Sequence, residues 1–365
     1  MNNRYTRIAV KIGSNVLTRK DGTLDITRMS ALVDQIAELH HRGIGVIMIS
    51  SGAVASGRSE LRENKKLDAV SARQLYSAVG QAKLINRYYE LFREHGIACG
   101  QVLTTKENFS TRRHYLNQKH CMEVMLGNGV IPIVNENDTV SVTELMFTDN
   151  DELSGLIATM MDMQALVILS NIDGVYDGNP NDVSSKVITD IEQQNDVSEY
   201  IQEGKSSLGR GGMATKYRIA RKVASEGIAV IIANGKRDNI LLDVVAPERN
   251  VPYTMFHPAA QTTSGVKKWI AHSEGFAKGE LHINQGAAEA LLSARGASLL
   301  PIGVTSIVGD FEKDDIVKVI APNGDMIAVG KVGYDSESAR LVMGESGARP
   351  LVHSDYLYID YLNIA

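Results

Sequence analysis

Cysteine is almost absent from this sequence. Its 365 residues hold two, Cys99 and Cys121. That excludes a disulfide scaffold, and because each cysteine stands beside an apolar segment, both are read as buried thiols in a reducing compartment. Long apolar runs are missing too. No stretch approaches the ~20 residues that cross a bilayer, and MNNRYTRIAV at the N-terminus has no apolar segment behind its charges, so it does not read as a signal peptide. The expectation is a cytoplasmic protein without membrane attachment. Nor is there an excess of one charge: 38 Lys plus Arg stand against 43 Asp plus Glu, a formal net charge of −5. That gives no general pull toward nucleic acid. The nine histidines form no HxH or HExxH spacing, so no zinc site is supported. No G-x-S-x-G nucleophile elbow and no G-x-x-x-x-G-K-[ST] phosphate loop occur. Long internal repeats and low-complexity tracts are absent as well.

Apolar residues make up 44% of the chain, enough for a sizeable core and more than one domain. They are concentrated in short runs. Ile8-Ala9-Val10, Val46-Ile47-Met48-Ile49, a run near Ala98–Leu103, Ile131-Pro132-Ile133-Val134, Ala165-Leu166-Val167-Ile168-Leu169 and Ala229-Val230-Ile231-Ile232 read as strands without polar alternation. Between them lie helical segments. Met29, Leu32, Val33, Ile36 and Leu39 fall on one face, and further helices are predicted over 71–95, up to about Gly127, over 151–161 and from Met213. Strands with continuous Val, Ile and Leu separated by amphipathic helices predict an α/β fold, a mostly parallel sheet sandwiched by helices. The strand order is not legible. After residue 258 the character changes. Residues 259–276 show no clear period and are read as a linker, 259–278. From Gly279 short strands, one short helix and the Pro322-Asn323-Gly324-Asp325 hairpin signal predict a small, mainly β domain over 279–365.

The chain is organised around IPIVNENDTVSVTELMFTDND, residues 131–151. A buried strand ends abruptly in Asn135-Glu136-Asn137-Asp138, and Asp149-Asn150-Asp151 opens an apolar helix. Open α/β sheets bind ligands beyond the carboxyl ends of their strands, although Asn and Asp also suit turns and helix N-caps. The other strands end in similar corners. Lys11 and Gly13 follow the first strand, where a lysine can supply a point charge and glycine lets backbone N–H groups approach an anion. A lone Lys-x-Gly is more often a solvated strand end. Ser50-Ser51-Gly52-Ala53 follows the second strand, and Ser51 could bind a ligand or cap a helix. Gly209-Arg210-Gly211-Gly212-Met213-Ala214-Thr215-Lys216 is a stronger signal. Its three glycines at a helix start form an anion cradle, and Lys216 in the first turn, where the helix dipole disfavours a cation, points to a paired anion, the alternative being a solvated surface lysine. The common theme is phosphate cradles with two separated lysines beside an acidic, amide-rich corner, the inventory of phosphoryl transfer.

KIGSNVL, SSGAVASG, AVGQ, VNENDTV, TDNDELSGLIA, DGVY and GRGGMATK, in this order, resemble the amino acid kinase family, and within it the members that phosphorylate glutamate. GASLLPIGV and GDFEKDDIV in the last segment resemble the PUA domain that some members append. The resemblance covers nearly the whole chain. It implies an amino acid kinase domain over 1–258 and a PUA domain over 279–365. It also implies ATP-dependent phosphorylation of the side-chain carboxylate of L-glutamate to L-glutamyl 5-phosphate, the first step of proline biosynthesis. Lys11 and Lys216 would contact the phosphates, and Asp151 would hold both lysines. Ser51, Asp138 and Asn150 would bind glutamate. Ser170, Asn171 and the loop Arg210, Gly211, Gly212, Met213, Ala214, Thr215 and Lys216 would lie along the nucleotide. Mg²⁺ would arrive on the ATP phosphates, with no protein metal ligand assigned. The resemblance further implies proline as feedback inhibitor and a homo-oligomer. Three positions depart from the family pattern. Ser170-Asn171 stands where Thr-Asp is usual, Met146 where a lysine is common, and Arg210 where a threonine is common.

This chemistry fits the absence of a His or Cys catalyst. A glutamate side-chain carboxylate is ionised at pH 7, with a reference pKa of about 4.3, and needs no general base. A nucleotide or phosphate acceptor would need further cations, which Asp138 and Met146 argue against. RNA binding through the last domain is disfavoured by charge, since residues 276–365 carry seven Lys plus Arg against twelve Asp plus Glu.

Overall fold

The structure, a computed structural model, describes residues 4–61, 67–141, 147, 149–180, 182–201, 212–260, 264–293 and 296–360. It divides into two compact units. One comprises residues 1–108 and 116–262, the other 109–115 and 263–365.

The first unit is built on an eight-stranded sheet. In chain order its elements are β1 (Arg7–Ile12), α1 (Ser14–Leu17), α2 (Ile26–His41), β2 (Gly45–Ile49), α3 (Ala53–Glu60), α4 (Ala69–Glu94), β3 (Cys99–Thr104), α5 (Arg112–Gly127) and β4 (Ile131–Glu136). There follow α6 (Asn150–Met160), β5 (Ala165–Ser170), β6 (Asp190–Ile191), α7 (Met213–Ser225), β7 (Ala229–Asn234), α8 (Ile240–Val245) and β8 (Thr254–Phe256). The strand order is β3-β4-β2-β1-β5-β7-β8-β6. Every pairing is parallel except β7 with β8. The uninterrupted apolar runs have the expected cause: β4 and β5 are buried along their whole length, because helices cover both faces.

The topology positions the site. From β1 the chain builds β2, β3 and β4 on one side, then crosses through α6 to β5 on the other. The reversal falls at β1, the switch point where such sheets open a crevice. The carboxyl ends of β4, β2, β1 and β5 therefore stand side by side, and these carry Asn135, Ser51, Lys11 and Ser170.

The second unit has a five-stranded sheet in the order β10-β9-β11-β12-β13. Its elements are α9 (Gly265–Ala271), β9 (Gly279–Ile283), α10 (Gln285–Ser293), β10 (Val304–Gly309), β11 (Ile316–Ile320), β12 (Met326–Val332), α11 (Ser336–Val342) and β13 (Val352–Ile359). Its core joins Leu281, Leu291, Phe311, Val317, Val319 and Leu357. The stretch 259–276, without a legible period, contains α9. This helix is too short for a period to show, and its identifying features are the Ser264 cap and the buried Trp269. The Trp269 indole N–H donates to the Phe109 carbonyl at 2.9 Å, and Arg112 donates to the Gly265 carbonyl at 3.0 Å. One expectation from the sequence is corrected: Cys121 is exposed and Cys99 only half-buried, both free thiols. Cys121 lies on the outward side of α5, which buries little on that face.

Candidate active site

Asp151 organises the site. Its carboxylate is 1% exposed and lies between two ammonium groups. Lys11 Nζ, at the end of β1, is 2.6 Å from Oδ1, and Lys216 Nζ, in the first turn of α7, donates to Oδ2 at 2.9 Å. Both lysines are buried. Burial pushes the Asp151 carboxyl up, but the two lysines outweigh it and hold the group below the usual carboxylate range. The paired anion implied by a lysine in the first turn of α7 is thus found within the protein.

Asp149 caps α6. Its Oδ1 accepts from the backbone N–H groups of Asp151 and Glu152 at 2.9 and 3.0 Å. Burial, then the neighbouring Asp151, push its carboxyl upward. The backbone donors at this helix start are therefore used by the cap.

Asn150 faces a second cluster. Its Nδ2 donates to the Ser50 carbonyl at 2.8 Å, to Asn135 Oδ1 at 3.0 Å and to Ser51 Oγ at 3.1 Å. Both amide hydrogens are engaged within the protein, so Asn150 offers a ligand its carbonyl oxygen, an acceptor. Asn135 donates in turn to Gln81 Oε1 at 2.9 Å.

Asp138 belongs to a third cluster. Arg73 pairs with it and also with Glu136 Oε2 at 2.9 Å, and Ser77 Oγ donates to Asp138 Oδ2 at 3.4 Å. Burial raises the Asp138 carboxyl. Burial and then Asp138 push Glu136 up to about 7. Arg73, Ser77 and Gln81 were not singled out in the sequence, yet their spacing carries a signal. They stand at i, i+4 and i+8, one face of α4. Ser77 and Gln81 are buried, at 2% and 8% exposure, where a helix of this length normally buries apolar side chains.

Ser170 is buried at the end of β5, and its Oγ is 3.5 Å from Asn171 Oδ1. Gly212 caps α7, so Met213, Ala214 and Thr215 form its first turn together with Lys216. Arg210, Gly211 and Met146 lie outside the described residues. A Cβ on Gly13 would sit 3.0 Å from the Leu169 carbonyl, so the backbone here runs close to β5 beside Lys11. Among the described residues, no group of three or more His, Cys, Asp or Glu side chains is placed to hold a metal ion. No described helix is long and apolar enough to cross a membrane.

A sheet of this topology with two lysines on one aspartate at its switch point is the framework of a phosphotransferase. Residues 6–234 match the amino acid kinase family and residues 279–351 the PUA domain. The chain belongs to the amino acid kinase family. It is 69% identical over 360 residues to the glutamate 5-kinase of Bacteroides thetaiotaomicron, covering 99% of this chain and 100% of that one. It is 44% identical over 361 residues to the glutamate 5-kinase of Chlorobaculum tepidum, covering 97% and 98%. Among solved structures, the T. acidophilum isopentenyl phosphate kinase superposes with a TM-score of 0.51 on 69% of this chain and 100% of its own, at 15% identity, a likeness of fold.

Proposed function

We propose that this chain transfers the γ-phosphoryl group of ATP to the side-chain carboxylate of L-glutamate, forming L-glutamyl 5-phosphate at the start of proline biosynthesis in the cytoplasm. The Lys11–Asp151–Lys216 arrangement carries this reading. Two buried cations fixed on one anion retain a net positive charge, which suits phosphate oxygens. Such preorganised charge supplies most of the catalysis in phosphoryl transfer. The acceptor carboxylate is already ionised, so the site needs to position two anions and move no proton. Mg²⁺ is carried by the ATP phosphates, where it offsets their charge. Ser170, Asn171 and residues 212–216 lie along the nucleotide. Asp138 and the Asn150 carbonyl oxygen accept from the α-ammonium, and Ser51 can donate to a substrate oxygen. Two carboxylates at this corner argue against a phosphate-bearing acceptor. In the same reading proline competes for the glutamate pocket as feedback inhibitor, residues 1–258 form the kinase domain and 279–365 the PUA domain, and the chain works as a homo-oligomer.

The test is hydroxylamine trapping. With ATP and Mg²⁺, L-glutamate should give the γ-hydroxamate, with aspartate at least about tenfold worse, because a chain one methylene shorter misplaces the nucleophile and errors of about 1 Å can cost a hundredfold. Asp138→Ala should raise KM for glutamate far more than KM for ATP. Equal yields from both amino acids, or an Asp138→Ala variant that weakens only ATP, would refute the assignment.

A further inference from the structure

The cluster around Arg73 has an unbalanced charge. One guanidinium on α4 faces two carboxylates, Glu136 at the end of β4 and Asp138 two residues on. Glu136 is 3% and Asp138 6% exposed, so solvent screens neither well. Among the described residues the cluster, with both carboxylates ionised, carries one negative charge in excess. Glu136 is held at each oxygen: Oε2 by Arg73 and Oε1 by the Phe147 backbone N–H at 2.9 Å. Those contacts fix the carboxylate and leave the deficit in charge. Among the described residues, Lys106 lies above the Phe147 ring, and it pairs with Glu152 at 3.3 Å. From β3 the neighbour in register is Thr104, which is uncharged.

We propose that Arg73 and Glu136 are positioning and specificity-determining residues: they fix the Asp138 carboxylate, and the negative charge of Glu136 is completed by the α-ammonium of the substrate. This rests on the reading that Asp138 binds that ammonium. A compact cation is what one guanidinium between two carboxylates needs. The arrangement therefore favours glutamate over glutarate, the same diacid without the ammonium. It also makes binding proton-linked. In the free protein burial and Asp138 hold Glu136 near 7. Below that pH the carboxyl is protonated, the cluster is neutral and the ammonium lacks a counter-charge. Above it the carboxylate is ionised and the ammonium is held. KM for glutamate should therefore fall as pH rises through about 7, while the substrate carboxylate, with a reference pKa of about 4.3, stays ionised throughout.

The experiment measures KM for glutamate and ATP, and the inhibition constant of glutarate, between about pH 6 and about pH 8. The wild-type KM for glutamate should drop about tenfold over that range, the span of one titration centred near 7. Glu136→Gln should keep the high value across the range and lose the slope, with glutarate inhibition unchanged or tighter. Arg73→Lys, which retains the charge without the fork, should raise KM for glutamate several-fold and keep the slope. Melting temperature and KM for ATP establish that both variants are folded. A slope that survives in Glu136→Gln, or glutarate weakened as much as glutamate, would overturn the proposal. The Asp138 assignment fails separately, through the Asp138→Ala result above.

Discussion

Asp151 holds two lysines, one from the end of β1 and one from the first turn of α7, and each of the three depends on the others. Remove Lys11 and the aspartate keeps one partner, but the phosphate bed loses half its positive charge. Lys11→Ala or Lys216→Ala should lower kcat about a hundredfold or more, with smaller changes in KM for glutamate, as measured by steady-state kinetics. Near-normal kcat in both variants would remove the phosphate-site assignment. Asp151→Asn tests the other half. The amide keeps the shape and leaves two buried ammonium groups facing each other without an anion. Removing one partner of a buried charge pair typically costs about 3–5 kcal/mol, so this variant should melt lower than either lysine variant as well as turn over slowly. The three residues were legible in the sequence by different routes. Lys11 followed a strand and Lys216 sat where a helix dipole disfavours a cation. The role of Asp151 came from resemblance, because its spacing of 140 and 65 residues from its partners carries no local signal.

At the scale of elements, continuous apolar runs announced six strands of the first sheet, and period 3.6 announced the helices that cover it. What stayed illegible was made by contacts distant in sequence. The strand order is one case, and the antiparallel entry of β8 another. The face of α4 that carries Arg73, Ser77 and Gln81 is a third: their partners Glu136, Asp138 and Asn135 lie more than fifty residues away in sequence. Two glycines set α4 against α3. A Cβ on Gly80 would lie 1.8 Å from the Ala53 carbonyl oxygen, and one on Gly57 would lie 1.8 Å from that of Tyr76. The backbones of α3 and α4 thus touch, which accounts for Gly57 of SSGAVASG and Gly80 of AVGQ. Gly80→Ala should destabilise by about 3 kcal/mol or more, since backbone cannot yield as a side chain can. Gly127→Ala, at the end of α5 with nothing near its Cβ, should be neutral or slightly stabilising. Thermal melts of the two variants check this; a tolerated Gly80→Ala would mean that the helices can separate without loss.

Across the whole molecule, the segment 109–115 comes between β3 and β4 in sequence but groups with the C-terminal unit. Phe109 is 1% and Trp269 4% exposed, and the hydrogen bond between them ties α9 to that segment. The proposed kinase domain therefore predicts a graded truncation series. A chain ended near residue 260 should stay soluble and retain phosphotransfer, because the eight-stranded sheet is complete by β8. A chain ended near residue 276 keeps Trp269 and should melt higher. An inactive or insoluble shorter chain would show that residues 1–258 do not suffice for the kinase.

Asn150 and Asp151 are adjacent in the chain yet serve opposite poles, one joined to Ser51 and Asn135, the other to Lys11 and Lys216. Successive residues of an α-helix point about 100° apart. The angle between the acceptor pocket and the phosphate bed is thus set by peptide geometry at the first turn of α6, as on a fixed protractor. Loops around the site can lengthen or shorten without altering that angle. A single residue inserted between positions 150 and 151 would turn the lysine-binding carboxylate away from both of its partners, and no change elsewhere in the loop could restore it.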